Sequence, residues 1–154
     1  MIKILSDMIQ GFVEVPEIEH KKGVLWSEKN DEYFGDRFFQ KLQGSLNLFF
    51  EDPTITVTSA NDSKHSIHSM HYVGKAIDLR IRDLKTKYLE VQIGSESWKD
   101  SIVFCYSRMA EYFPNYVFIV HVNSGAPHVH VQHSKNNLKN PFGGLGKYHN
   151  VFIK

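Results

Sequence analysis

Hydrophobic positions along this chain follow two different periods. Phe34, Phe38, Leu42, Leu46 and Phe50 recur every fourth residue, and Phe39 and Phe49 widen the stripe. That spacing predicts a helix over about 30–50 that buries one face. Asn30 or Asp31 stands where an N-cap is expected, and Pro53 stops the element. Seven bulky apolar side chains on one helix read as core, not as a ligand-binding aromatic box. A second stripe, Ile102, Tyr106, Met109, Ala110 and Phe113, predicts a helix opened by Ser95 or Ser97 and stopped by Pro114.

Elsewhere the period is two. Residues 54–59 are rich in β-branched side chains and predict a strand. Residues 76–81 alternate, with Ile77, Leu79 and Ile81 on one face and Ala76, Asp78 and Arg80 on the other. Residues 128–132 do the same: Val129 and Val131 face one way, His128, His130 and Gln132 the other. Residues 116–122 are apolar on both faces, as a central strand would be, and 123–127 make a hairpin-like turn into His128. Val151, Phe152 and Ile153 predict a last short strand.

The remaining segments predict connections. Residues 1–15 fit either a short helix or an edge strand, ended by Gly11 or Pro16. Residues 17–28 are polar, contain Gly23 and read as a loop pinned by Trp26. Residues 82–87 form a charged turn, and 88–93 are either a short strand or the start of a crossover. The stretch after His133 is polar, and Gly143, Gly144 and Gly146 make a loop. The order of elements predicts an α+β domain, with helices packed on one face of a mainly antiparallel sheet and the site on the other. One domain covers 1–154, and 1–30 is its least defined part.

Composition narrows the class. The 154 residues are 42% hydrophobic and 13% aromatic, which fits a globular chain with a substantial core. A net charge of +1 sets up no strong field toward nucleic acid or membrane. The single Cys105 excludes an internal disulfide and reads as a buried small hydrophobe. No stretch has the length and apolarity of a membrane span, and the N-terminus lacks the apolar run of a secretory signal. A role outside the cytoplasm would then need another exit route.

The chemistry gathers on the polar strand faces. Antiparallel pairing of 76–81 with 128–132 brings Asp78 toward His128 and His130, and His71 returns from the preceding turn, where Gly74 lets the chain bend. Imidazole nitrogens and a carboxylate make a zinc set that leaves one position open for water. Taken singly, each His reads as a surface or packed side chain, and His20, His133 and His149 keep that reading. His65 and His68 lie in a polar loop and read as solvent-facing or rim groups. His121 sits in an apolar strand and reads as packed or supporting. The joint spacing of the others favours ligation.

Ser69, His71, Gly74, Ala76 and Asp78 spell S-x-H-x-x-G-x-A-x-D, with His128-Val129-His130 far downstream. This pattern resembles the D-alanyl-D-alanine metallopeptidases, zinc enzymes that include carboxypeptidases and phage endolysins and share a fold with the Hedgehog signalling domain. Residues 55–59 also resemble the strand leading into that motif. The likeness covers the middle and C-terminal half of the chain, and 1–30 carries none of it.

The resemblance implies a Hedgehog-like fold and one zinc held by His71, Asp78 and His130. His128 is then a free neighbour that donates to an oxyanion or moves a proton; the competing assignment exchanges the two His roles. It implies a peptidoglycan stem peptide as partner, without nucleic acid or membrane insertion. Ser69, Lys64 and Arg80 are candidates for contacting that substrate. Two departures stand out. Pro127 occupies the place of the family's usual acid and Gly125 that of an alternative His, so the base falls to His128, with His121 or a distal Glu behind it. The family's Arg after the first strand maps near Asp62, so Lys64 or Arg80 would have to hold a carboxylate. For both, ordinary solvated charge is an equal reading.

The resemblance favours D-Ala-D-Ala carboxypeptidase activity, with an L-Ala–D-Glu endopeptidase of endolysin type as the alternative. Two other classes compete. Pro127-His128-Val129-His130 fits a metal-dependent DNA nickase of the His-hydrophobic-His kind, with Tyr72 as nucleophile, but the Tyr precedes the His pair and Asp78 goes unexplained. A non-catalytic zinc-binding module of the same fold is the other.

Overall fold

A computed structural model describes residues 14–60, 74–87, 90–123, 126–133, 144–145 and 151–153. The strands come in chain order as β1 (Ile18–His20), β2 (Ile55–Ser59), β3 (Ala76–Arg80), β4 (Tyr116–His121), β5 (His128–His133), β6 (Gly144–Leu145) and β7 (Val151–Ile153). They lie side by side as β1-β2-β3-β5-β4-β7-β6. β1·β2 and β4·β7 are parallel, and the other four pairings are antiparallel. The domain is therefore α+β with a mixed, mostly antiparallel sheet.

The first apolar stripe is carried by two helices, not one. α1 spans Glu28–Tyr33 and α2 Asp36–Phe49. Phe34 leaves helical geometry (φ −131°, ψ 69°), and the chain restarts from an extended Gly35. Phe34, Phe38, Phe39, Leu42, Leu46 and Phe50 are all buried, as the four-residue spacing demands. α3 spans Glu96–Met109 and continues as a 3-10 turn over Ala110–Tyr112. Its cap is Ser95, whose Oγ accepts from the Trp98 N–H at 3.2 Å. Its inward face of Trp98, Ile102, Cys105, Tyr106 and Met109 joins the α2 stripe and the inner faces of β2 to β5 in a single core. Trp98 is held there by a 2.7 Å bond from Nε1 to the Leu84 carbonyl. Burial pushes the Cys105 thiol well above its ordinary pKa, so it is a packing residue.

Two segments expected as loops are strands. Ile18–His20 pairs in parallel with β2, in register Ile18 with Ile55, and Ile18 packs on the core. Gly144–Leu145 pairs with β7. In both cases backbone pairing to a formed neighbour overrides a weak local pattern. Residues 90–93 carry no strand. The readings for 1–13, 61–73 and 88–89 lie outside the described residues.

Trp26 does pin the segment between β1 and α1. It meets His20 edge-on at 5.4 Å, tilts over Phe39 at 6.1 Å and donates to Asp31 Oδ1 at 2.7 Å. Ser27, not Asn30 or Asp31, is the first helical cap. Its Oγ accepts from the Asn30 N–H, and Asn30 Oδ1 accepts from the Ser27 N–H, closing a capping box. Asn30 is thereby turned inward and fully buried, and its Nδ2 donates to the Gly74 carbonyl at 3.1 Å.

That contact explains the glycine of the S-x-H-x-x-G motif. Gly74 has φ +72°, and a Cβ there would lie 2.5 Å from Lys29 Cβ and 3.0 Å from the Lys29 carbonyl carbon. Gly74→Ala thus combines left-handed strain with a clash against helix backbone. A loss of about 2 kcal/mol is expected, seen as a lower urea midpoint at unchanged slope.

Candidate metal centre

β3, β5 and β4 lie in continuous register, and their outer faces form three cross-strand ranks. Arg80, His128 and His121 stand in the first, Asp78, His130 and Ile119 in the second, Ala76, Gln132 and Val117 in the third. The intervening Ile77, Leu79, Val129, Val131, Phe118 and Val120 are buried in the core beneath. Alternation therefore delivers the polar set to one face, as the sequence required.

The middle rank is the chemical centre. His130 Nδ1 lies 3.0 Å from Asp78 Oδ1, and each side chain is only 17% exposed. His130 Nε2 lies 3.1 Å from Gln132 Oε1. Both ring nitrogens thus face oxygens that accept, whereas a neutral imidazole has one N–H to give. A cation between Nδ1 and Asp78 satisfies the arrangement, with Nε2–H donated to Gln132. That is the usual support of a metal-bound His, whose second nitrogen donates to a carbonyl or carboxylate. A Gln132 amide turned the other way, with Nδ1–H given to Asp78, satisfies it without metal. The 3.0 Å separation is close to the roughly 3.3 Å that two ligands at about 2.0 Å span on tetrahedral zinc. These two donors are of the types that zinc takes.

Among the described residues no group of three or more His, Cys, Asp or Glu side chains surrounds a common point. Asp78 and His130 come together as expected. The third expected ligand, His71, and the expected substrate contacts Ser69 and Lys64 lie outside the described residues.

His128 is built differently. Its Nδ1–H donates to the Ala126 carbonyl at 3.0 Å, and a carbonyl can only accept, so in the neutral ring the lone pair is on Nε2. Its ring stacks on His121, with centroids 4.3 Å apart and planes 12° from parallel. The two His of the H-x-H strand therefore have different partners.

Beside this centre is a recess of about 200 Å³, lined by Lys21, Thr58, Ser59, Asp78, Arg80, Arg82, Ala126, Pro127 and His128. Three cations and one carboxylate line it, and Arg82 also has Asp83 as a partner at 3.9 Å. Arg80 was expected here; Lys21 and Arg82 were not, because each sits in a turn whose placement only the folded sheet decides. Gln132 was placed on this face but given no role. A larger hollow of about 700 Å³, lined by Phe49, Phe50 and Phe104 among others, opens between α2 and α3, and its lining shares no residue with the centre.

Comparison of the chain with protein-family models, with characterised proteins and with solved structures found no match. Among the described residues no helix is long and apolar enough to cross a membrane.

Proposed function

We propose that this chain is a zinc peptidase of the D-alanyl-D-alanine type, with a Hedgehog-like fold, acting on the stem peptide of bacterial peptidoglycan. The observation that carries the reading is the Asp78–His130 pair, a carboxylate and an imidazole 3.0 Å apart on neighbouring strands, set in the S-x-H-x-x-G-x-A-x-D motif. His71, Asp78 and His130 would hold the ion. A zinc bound there supplies a Lewis acid and an activated water.

The chain's own residues have separable tasks. Asp78 and His130 present an anionic oxygen and a ring nitrogen, and Gln132 fixes the His130 tautomer. His128 offers Nε2 as a proton acceptor beside them, the part that an acid plays elsewhere and that Pro127 cannot. Arg80, with Lys21 and Arg82 around the same recess, can hold a substrate carboxylate, which a buried anion requires. Ser69 and Lys64 remain candidates for further substrate contact.

Product analysis on a pentapeptide stem tests the reading. Release of free D-Ala in the presence of zinc is expected, and no hydrolysis of any stem bond by zinc-loaded protein would leave only a binding module. Cleavage after L-Ala with the terminal D-Ala retained would make it an endopeptidase. Arg80→Ala is expected to raise KM about tenfold or more with little change in kcat, the mark of lost uniform binding. Lys64→Ala, assayed beside it, shows which cation carries the carboxylate. A nick in single-stranded DNA would favour the nuclease instead.

A further inference from the structure

The first cross-strand rank holds a residue for which the proposed reaction has no direct use. His121 and His128 face each other across β4 and β5, in register, with rings nearly parallel at 4.3 Å. A flat ring laid on a flat ring restricts rotation about the side-chain bonds of both. On the His128 ring this adds to the Nδ1–H bond to Ala126, which alone would let the ring swing about that hydrogen bond. On its other flank, across β3, His128 stands opposite Arg80.

Resting on the peptidase reading, the geometry points to His121 as a positioning residue: its ring face holds His128 in the one orientation that turns Nε2 away from Ala126. In this role His121 acts through His128. What the position needs is a planar ring, not a titrating nitrogen. A base held in one orientation is effective because productive geometry is reached without searching.

The test compares His121→Ala with His121→Phe in the full chain loaded with zinc, using the pentapeptide stem. His121→Ala is expected to lower kcat about tenfold, with KM within about twofold and zinc content unchanged, and His121→Phe is expected to recover most of the loss. In the His121→Ala/His128→Gln double variant the loss should be no deeper than in His128→Gln alone, since His121 acts through His128. A second readout needs no catalysis: NMR of the His128 ring should show one rotamer in wild type and His121→Phe, and exchange between rotamers in His121→Ala. If wild-type protein hydrolyses nothing, the peptidase reading fails, and this ring order still decides whether the stack positions His128. A single His128 rotamer in His121→Ala, or wild-type kcat, overturns the proposal. So does a His121→Phe variant as impaired as His121→Ala, because the His121 nitrogen would then be needed itself. Loss of zinc from either variant would overturn it too, making His121 part of the metal set.

Discussion

Asp78→Ala and His130→Ala are each expected to empty the zinc site and abolish turnover. In the proposed site Asp78 would supply the anionic ligand and His130 the ring nitrogen 3.0 Å from it, so either deletion would leave an incomplete set. The loss of affinity should exceed the roughly 10–100-fold that follows removal of a supporting group. Gln132→Ala provides that smaller step, because it removes only the acceptor that fixes the His130 tautomer. His71→Ala belongs in the same series and should behave like the two ligands. Metal analysis after dialysis against buffer checks all four. Full zinc occupancy in any ligand variant would remove that residue from the set. Full occupancy in both Asp78→Ala and His130→Ala would mean that the pair is a plain Nδ1–H to carboxylate bond.

His128→Gln should instead keep zinc and lose about 100-fold or more in kcat, the usual scale of proton-transfer help. Gln can still donate to the Ala126 carbonyl, so the local hydrogen bond has a substitute, but it has no nitrogen able to accept a proton. The orientation of the ring makes the prediction sharp. With Nδ1 committed to Ala126 and His130 Nδ1 committed to the Asp78 side, the two His cannot exchange tasks without rotating both rings. If zinc leaves with His128→Gln and stays with His130→Gln, the tasks are reversed.

The centre was legible where alternation governs. Period-two patterns in 76–81 and 128–132 place Asp78, Arg80, His128 and His130 on one face whatever the register, and the buried Leu79, Val129 and Val131 bear this out. Register itself was not legible: that Asp78 stands opposite His130, with His128 opposite Arg80, follows from the folded pairing. The α2 stripe was read correctly, yet the break at Phe34 was hidden, because the apolar spacing runs through it unchanged. Asn30 looked like a cap and is a buried clamp on Gly74, a contact 44 residues long that no local pattern encodes. β1 was missed because three residues with one apolar side chain carry too little pattern to outweigh the polar run around them. Lys21 and Arg82 reach the recess for the same reason: turns place them, and turns are positioned by the sheet.

The separation of 52 positions between Asp78 and His130 has a consequence for how the proposed centre comes into being during synthesis. β3 can pair with β2 as soon as it emerges, but its other edge is completed only by β5, which is made after α3 and β4. A growing chain therefore carries the carboxylate without its imidazole for a third of its length, and closing so long a loop is the slow step for contacts of this kind. An interrupted translation product ending before His128 would lack both His of the H-x-H strand. The Asp78–His130 pair cannot form until β5 inserts between β3 and β4, so the strand that completes the sheet is the same one that completes the proposed centre.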